Sequence, residues 1–307
     1  MYLGYFLILL SATAFGLMPI FAIYAYDHQV SVNTLLFLRF SFASIIFFSY
    51  LFMKKGFVSI TKKQFIIFFL LGSILYTLQS SFYFSSIKYI PASLAALILY
   101  LYPVFVAILS FFVNKEKLTK FMIISMIISL LGILLVLGTP TDHMNLFGIT
   151  LALGAAIVYS IYIIVGGRVT LQVPPLVTSA FIALFAAISF LVVGLTTNTL
   201  QFHFSIVGWL SILCISIISS VISMASFFAG IRLIGPTKSA ILSMVEPVIT
   251  IIFSTILLNE NMKLLQLVGG TIVLLGAAMV VITSEKKKLI ENKMENHLQY
   301  DMINNEK

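Results

Sequence analysis

Glu246 lies in GPTKSAILSMVEPVITIIFSTILLNE (235–260) and Arg39 in LLFLRFSFAS (35–44), two ionisable side chains inside apolar runs. Between Ser239 and Leu258 Glu246 is the one charge in twenty residues. As a helix that length reaches roughly 30 Å, the thickness of a bilayer's hydrocarbon core. Charge near the midplane is expensive, so a carboxylate there is a candidate functional group. Three uses fit it: a proton site, charged facing one side and neutral or substrate-bound facing the other; a ligand for a cationic substrate; or a structural partner to Arg39 or a broken helix. Pro247 has no N–H to donate and leaves a carbonyl near Ser243 without its helical donor. Counted from the nearer span ends, Arg39 lies roughly 12 Å deep and Glu246 roughly 18 Å, a difference a long side chain can bridge. Arg39 therefore snorkels or pairs with backbone or Glu246, or it meets an anionic group of a substrate.

Other polar side chains fall on helical faces. Ser239, Ser243, Glu246 and Thr250 follow steps of four, three and four and share one face of a continuous helix. A similar face carries Tyr76, Gln79, Ser80 and Tyr83, another Ser216, Ser220 and Ser223, and Tyr100, Tyr102, Tyr159 and Tyr162 come from two further stretches. Such faces avoid lipid and look into a bundle or a water-filled cavity. The candidate substrate-binding residues are Gln79, Tyr83, Tyr76, Ser243, Tyr102, Tyr159, Ser223 and Arg39, with Glu246 for proton coupling or substrate binding. A serine in a membrane helix often only packs or bonds its own backbone. The Gln79 amide is harder to satisfy that way. No catalytic, cofactor or metal residues are expected: the four histidines lie in loops or the tail, and HExxH, CxxC and P-loop patterns are lacking.

The elements that position these residues are membrane spans. The chain is 61% hydrophobic and only 9% charged, against about 25% charged in soluble domains, so it reads as an all-α integral membrane protein. Apolar windows predict about ten spans, near 4–26, 32–53, 64–86, 91–113, 118–138, 146–167, 174–197, 205–231, 237–258 and 264–283. Pro91 separates the third from the fourth. Of eighteen Lys and Arg, fifteen fall on one side of this topology and only Lys88 and Lys263 on the other, leaving Arg39 in the membrane. The basic side is read as cytoplasmic, with both termini there, in a multi-pass bacterial plasma-membrane protein. The net charge of +8 thus marks topology, and no nucleic-acid partner is expected. Residues 285–307 read as a polar cytoplasmic tail, with Lys286, Lys287 and Lys288 beside anionic headgroups.

Sliding the chain over itself by 144 residues aligns Gly4 with Gly148, Ala12 with Ala156, Lys88 with Arg232, Pro103 with Pro247, Glu116 with Glu260 and Gly132 with Gly276. Two domains follow, 1–145 and 146–284. Five spans in each make the second repeat inverted, the usual construction of secondary transporters with a midplane site between the halves. Tyr102 occupies the position of Glu246 in the first half, so the carboxylate is not needed to build this helix. Glu116 and Glu260 end their spans beside lysines and read as surface anchors. Ser125, Ser129, Gly269 and Gly276 suit helix packing within one subunit or between two, which leaves the oligomeric state open.

FYFSSIKYIPASLAALILYLYPVFVAILSFFVNKEKLT (82–119), its counterpart FFAGIRLIGPTKSAILSMVEPVITIIFSTILLNENMK (227–263) and the LRF of the second span resemble the EamA domain of the drug/metabolite transporter superfamily. The likeness covers residues 4 to 283 as two tandem domains. It places that family's Pro-Val motif at Pro103-Val104 and Pro247-Val248, and its span-ending glutamates at Glu116 and Glu260. Asn114-Lys115 departs from the expected glycine, and Trp209 is the only tryptophan, so aromatic cavity contacts fall to Tyr and Phe. The resemblance implies ten helices as two inverted repeats around a central cavity, alternating access, a small-molecule substrate, commonly an amino acid, and a lipid bilayer as partner. The leading expectation is an exporter of amino acids or related metabolites, with protons as coupling partner through Glu246. The alternatives are a facilitator or exchanger without proton coupling and a non-transporting scaffold. A lipid-modifying enzyme would need a nucleophile, base or metal cluster that the sequence lacks.

Overall fold

The structure, a computed structural model, describes residues 2–54, 58–86, 89–90, 95, 98–115, 118–137, 145–257, 264–265, 268–276 and 279. Pro91, Glu116, Glu260, His143, His297 and the 285–307 tail lie outside the described residues. Within them every regular element is helical. Among the described residues six spans are long and apolar enough to cross a membrane: Tyr2–Asp27, Val32–Met53, Lys62–Tyr83, Leu146–Thr170, Pro175–Thr196 and Ile206–Ile234. Shorter apolar helices, Tyr102–Asn114 and Lys120–Leu137, occupy the predicted fourth and fifth spans. Pro236–Ser243 and Glu246–Leu257 occupy the ninth, and 268–276 is helical in the tenth.

Polar residues in the loops set where spans begin. Ser31 accepts from the Thr34 N–H, Thr61 and Gln64 form a capping box, Asn145 accepts from Phe147 and Gly148, and Ser205 from Gly208. Each satisfies a donor that the first helical turn leaves free. Large apolar side chains on the outside of the bundle, among them Phe6, Ile45, Ile66, Leu131 and Leu210, are exposed. In a bilayer this is the lipid-facing surface.

The two halves interlock. The second span packs along the seventh, where Phe40 stacks on Phe190 with ring centroids 5.9 Å apart. The first span packs on the eighth and the third on the sixth, so each half's first helix lies against the other half's third. Gly4 abuts Leu233 and Ile234, and Gly148 abuts Tyr89 and Ile90, the same contact displaced by 144 residues. One end of the bundle joins Ser31 and Thr34 to Thr199; the other joins Gln64 to Gln172. The loop after the first span and the loop after the sixth therefore sit at opposite ends, and the repeats are inverted.

The fifth and tenth spans pack within one chain. A Cβ on Gly132 would lie 2.7 Å from the Val273 nitrogen and 2.8 Å from the Gly269 carbonyl. Gly276 faces Ser125 and Ser129. The small residues that left intersubunit packing open are thus occupied inside the subunit.

Candidate functional site

The ninth span is not one helix. Its first half ends at Ser243 and its second begins at Glu246. At the break the Met244 N–H donates to the Ile241 carbonyl and the Val245 N–H to the Leu242 carbonyl, each three residues back. Met244 thereby forgoes the usual acceptor four residues back, the Ala240 carbonyl, and Pro247 has no N–H for Ser243. The Tyr102 hydroxyl donates to the Ala240 carbonyl at 3.4 Å. The single continuous face expected for Ser239, Ser243, Glu246 and Thr250 is therefore corrected to two short helices meeting at the carboxylate. The cause is the tightened turn ahead of Pro247.

The fourth span breaks in the same way. Leu101 N–H bonds Ile98, Val104 bonds Leu101 and Phe105 bonds Leu101; Val245 to Leu242, Val248 to Val245 and Ile249 to Val245 repeat these bonds 144 residues later. Pro103 and Pro247 each stand second in the following helix, where a missing N–H is tolerated. The first span breaks beside Pro19 at Leu17. The third and eighth spans carry π-helical segments, Leu70–Tyr76 and Ile217–Ile222.

Glu246 lies partly buried at its break. The Tyr100 hydroxyl is within hydrogen-bonding reach of its carboxylate. The charge also acts on Tyr83, Tyr102 and Tyr159, and Arg39 acts on it, so these groups share one low-dielectric interior. No ion pair joins Arg39 and Glu246. The Thr250 hydroxyl reaches the Gly16 carbonyl at 2.8 Å and the Glu246 carbonyl at 3.1 Å. A Cβ on Gly16 would lie 2.9 Å from that Glu246 carbonyl oxygen. At the repeat-related place Ser160 donates to the Tyr102 carbonyl at 3.1 Å.

A file of aromatic rings runs from Arg39 toward Glu246. Phe40 meets Tyr76 at 5.1 Å, Tyr76 meets Tyr162 at 5.2 Å, Tyr162 stacks on Tyr159 at 5.8 Å, and Tyr159 meets Tyr102 at 4.9 Å. Tyr102 lies 6.4 Å from Tyr100, the neighbour of the carboxylate. Arg39, 3% exposed, donates from Nε to the Ser220 hydroxyl at 2.6 Å and from Nη2 to the Ser219 carbonyl at 3.1 Å and the Tyr76 hydroxyl at 3.5 Å. Its guanidinium carbon lies 4.8 Å from the Phe40 ring centre. Rings with hydroxyls supply apolar surface and adaptable hydrogen bonds to a small amphipathic molecule.

Tyr76, Tyr102, Tyr159, Arg39 and Glu246 thus come together, with Tyr83 close to the carboxylate. Gln79 is buried with its side-chain oxygen accepting from Ser80 at 3.3 Å. The Ser243 hydroxyl donates to Ser239 at 3.0 Å and lies within reach of Tyr102. Ser223 donates to the Ser219 carbonyl of its own helix at 2.7 Å. Tyr26, which the sequence reading passed over as the end of the first span, has a buried hydroxyl without a hydrogen bond, in the field of Arg39. Gly16 was also passed over; its one signal was the pairing with Ser160 under the repeat offset.

Two further contacts join span ends, and they are repeat mates. The Tyr24 hydroxyl donates to the Leu257 carbonyl at 3.0 Å. Arg168 donates to the Val113 carbonyl and, at 2.8 Å, to the Asn114 side chain. Adding 144 to Tyr24 and Val113 gives Arg168 and Leu257.

Inverted repeats, paired broken helices and a charged interior define the architecture of a multi-pass membrane transporter. The sequence profile of the EamA-like transporter family matches residues 2–138 and 146–282, and the chain belongs to that family. The uncharacterized transporter YetK of Bacillus subtilis is 26% identical over 268 residues, 82% of this chain and 78% of that one. The threonine/homoserine exporter RhtA of Escherichia coli is 27% identical over 212 residues, 68% of this chain and 69% of that one. One solved crystal structure superposes with a TM-score of 0.79 over 92% of this chain and 98% of that one, at 17% identity, which speaks to fold alone. The family and these relatives are transporters, not enzymes.

Proposed function

We propose that this protein is a secondary active exporter of amino acids or related small metabolites, working by alternating access and coupled to protons through Glu246. The observation that carries the reading is an intramembrane carboxylate placed where two short helices meet, with Tyr100 beside it and, among the described residues, no ion-pair partner. A carboxylate so placed can exchange a proton for a substrate ammonium group, since one site cannot hold both. The tyrosine file lines the remainder of the site, with Gln79, Tyr83 and Ser243 at its edge. Tyr24–Leu257 and Arg168–Val113 act as the outer and cytoplasmic closures, the termini being cytoplasmic. Inverted repeats suit this use, because exchanging the conformations of the halves exchanges which closure is open.

The amino-acid substrate class draws on the likeness to the threonine/homoserine exporter. Metabolite profiling of cells with and without the protein, followed by counterflow of the affected compounds in liposomes, tests it. Export of amino acids with saturable counterflow is expected. Unchanged metabolite pools and no flux would instead favour a scaffold, and accumulation indifferent to a pH gradient a facilitator or exchanger.

A further inference from the structure

Arg39 is a buried cation without a counter-ion among the described residues. Neutral groups satisfy Nε and Nη2, namely the Ser220 hydroxyl, the Ser219 carbonyl and Tyr76. Among the described residues Nη1 makes no hydrogen bond, and no carboxylate lies within ion-pair distance. The Ser219 carbonyl belongs to the π-helical segment, and it accepts from Ser223 as well as Arg39. This holds the guanidinium through Nε and Nη2 and leaves the two Nη1 N–H groups without a bond among the described residues. Guanidinium edges match carboxylates, and the match strengthens out of water. The second observation is the Tyr26 hydroxyl, buried, without a hydrogen bond and within the field of Arg39. An unsatisfied buried hydroxyl is costly unless something else bonds it.

We infer that Arg39 Nη1 and the Tyr26 hydroxyl form the subsite for a single carboxylate of the transported molecule, in the interior that Arg39 shares with Glu246. The inference deepens the transport reading and rests on its placing of the substrate in this interior. One cation with free Nη1 N–H groups and one neutral hydroxyl balance one negative charge. A phosphate dianion would bring a second charge with no partner, so the site selects monocarboxylates. An α-amino acid would present its carboxylate to Arg39 and its ammonium toward Glu246, the two charged groups that attract each other here without pairing.

The test is thermal stabilisation of the purified full-length protein by the proteinogenic amino acids, each beside its carboxamide and its amino alcohol. The inference expects at least one acid to bind while its amide and alcohol bind roughly tenfold or more weakly. Arg39→Gln should abolish that preference. Tyr26→Phe removes one hydroxyl and no hydrogen bond of the fold; it should weaken the acid alone, by about threefold to tenfold. Should Arg39→Gln fail to fold for loss of the Ser219 and Ser220 bonds, Tyr26→Phe decides. Equal binding of acid and amide, a preference that survives Arg39→Gln, an unchanged Tyr26→Phe, or no acid binding at all would each overturn the inference. Failure of the transport reading would show differently, as acid-selective binding without flux in liposomes.

Discussion

Breaking one closure should open one side of the protein and breaking its repeat mate the other. Tyr24→Phe removes a single neutral hydrogen bond, hydroxyl to Leu257 carbonyl at 3.0 Å, at a part-exposed position. Such a bond contributes about 1 kcal/mol, so the outward-open population should rise about fivefold. Arg168→Gln removes bonds to Val113 and Asn114 at the last turn of a helix, where a cation also meets the carbonyl end of the dipole. Charge-assisted bonds run to about 3 kcal/mol, but Arg168 is exposed and water competes. About 1 to 2 kcal/mol remains, roughly five- to thirtyfold in the inward-open population. The assay is labelling by a membrane-impermeant thiol reagent of one cysteine at Ser243, in a Cys214→Ser background, from each side of the membrane. Tyr24→Phe should speed labelling from outside and slow it from the cytoplasm; Arg168→Gln should do the reverse. Changes of the same sign in both variants, or none above twofold, would refute the assignment of the two contacts as opposed closures.

Further outcomes follow from the packing. Gly16→Ala sets a Cβ 2.9 Å from the Glu246 carbonyl oxygen and 2.9 Å from Ile249 Cγ2, and should cost about 1 to 3 kcal/mol of stability, read as a lower thermal midpoint in detergent. Thr250→Val removes the hydroxyl shared by the Gly16 and Glu246 carbonyls. It should loosen the outer closure by about 1 kcal/mol, seen as faster labelling from outside. Cysteines replacing Ser129 and Gly276 should crosslink within one subunit, leaving the monomer band on a gel; a covalent dimer would contradict the intrachain packing of the fifth and tenth spans.

Much of the architecture was legible because hydrophobicity along a membrane helix is a strong and local signal. The predicted sixth and seventh spans, 146–167 and 174–197, lie on Leu146–Thr170 and Pro175–Thr196. The repeat offset, found from glycines and prolines, also carries contacts that residue identity conceals. Tyr24 and Arg168 share no chemistry except that both donate to a backbone carbonyl, so no comparison of side chains pairs them. Pro247 signalled the break at Glu246. Counting residues around a continuous helix did not foresee that the span divides at Met244 and Val245, where bonds run to carbonyls three residues back. The π-helical segments left no such mark, since Leu70–Tyr76 and Ile217–Ile222 read as ordinary apolar helix. Each tyrosine of the interior file is visible on its own span, whereas Tyr26, outside the file, reads only as the end of the first span. Their order from Arg39 to Glu246 depends on how the two halves interlock, which no single span encodes.

The central claim is that Glu246 couples transport to protons. Accumulation of a transported compound into liposomes under an imposed pH gradient, compared between the wild-type protein and Glu246→Gln, tests it most directly. The variant should lose gradient-driven accumulation while the wild type concentrates substrate. Gradient-driven accumulation undiminished in Glu246→Gln would contradict it.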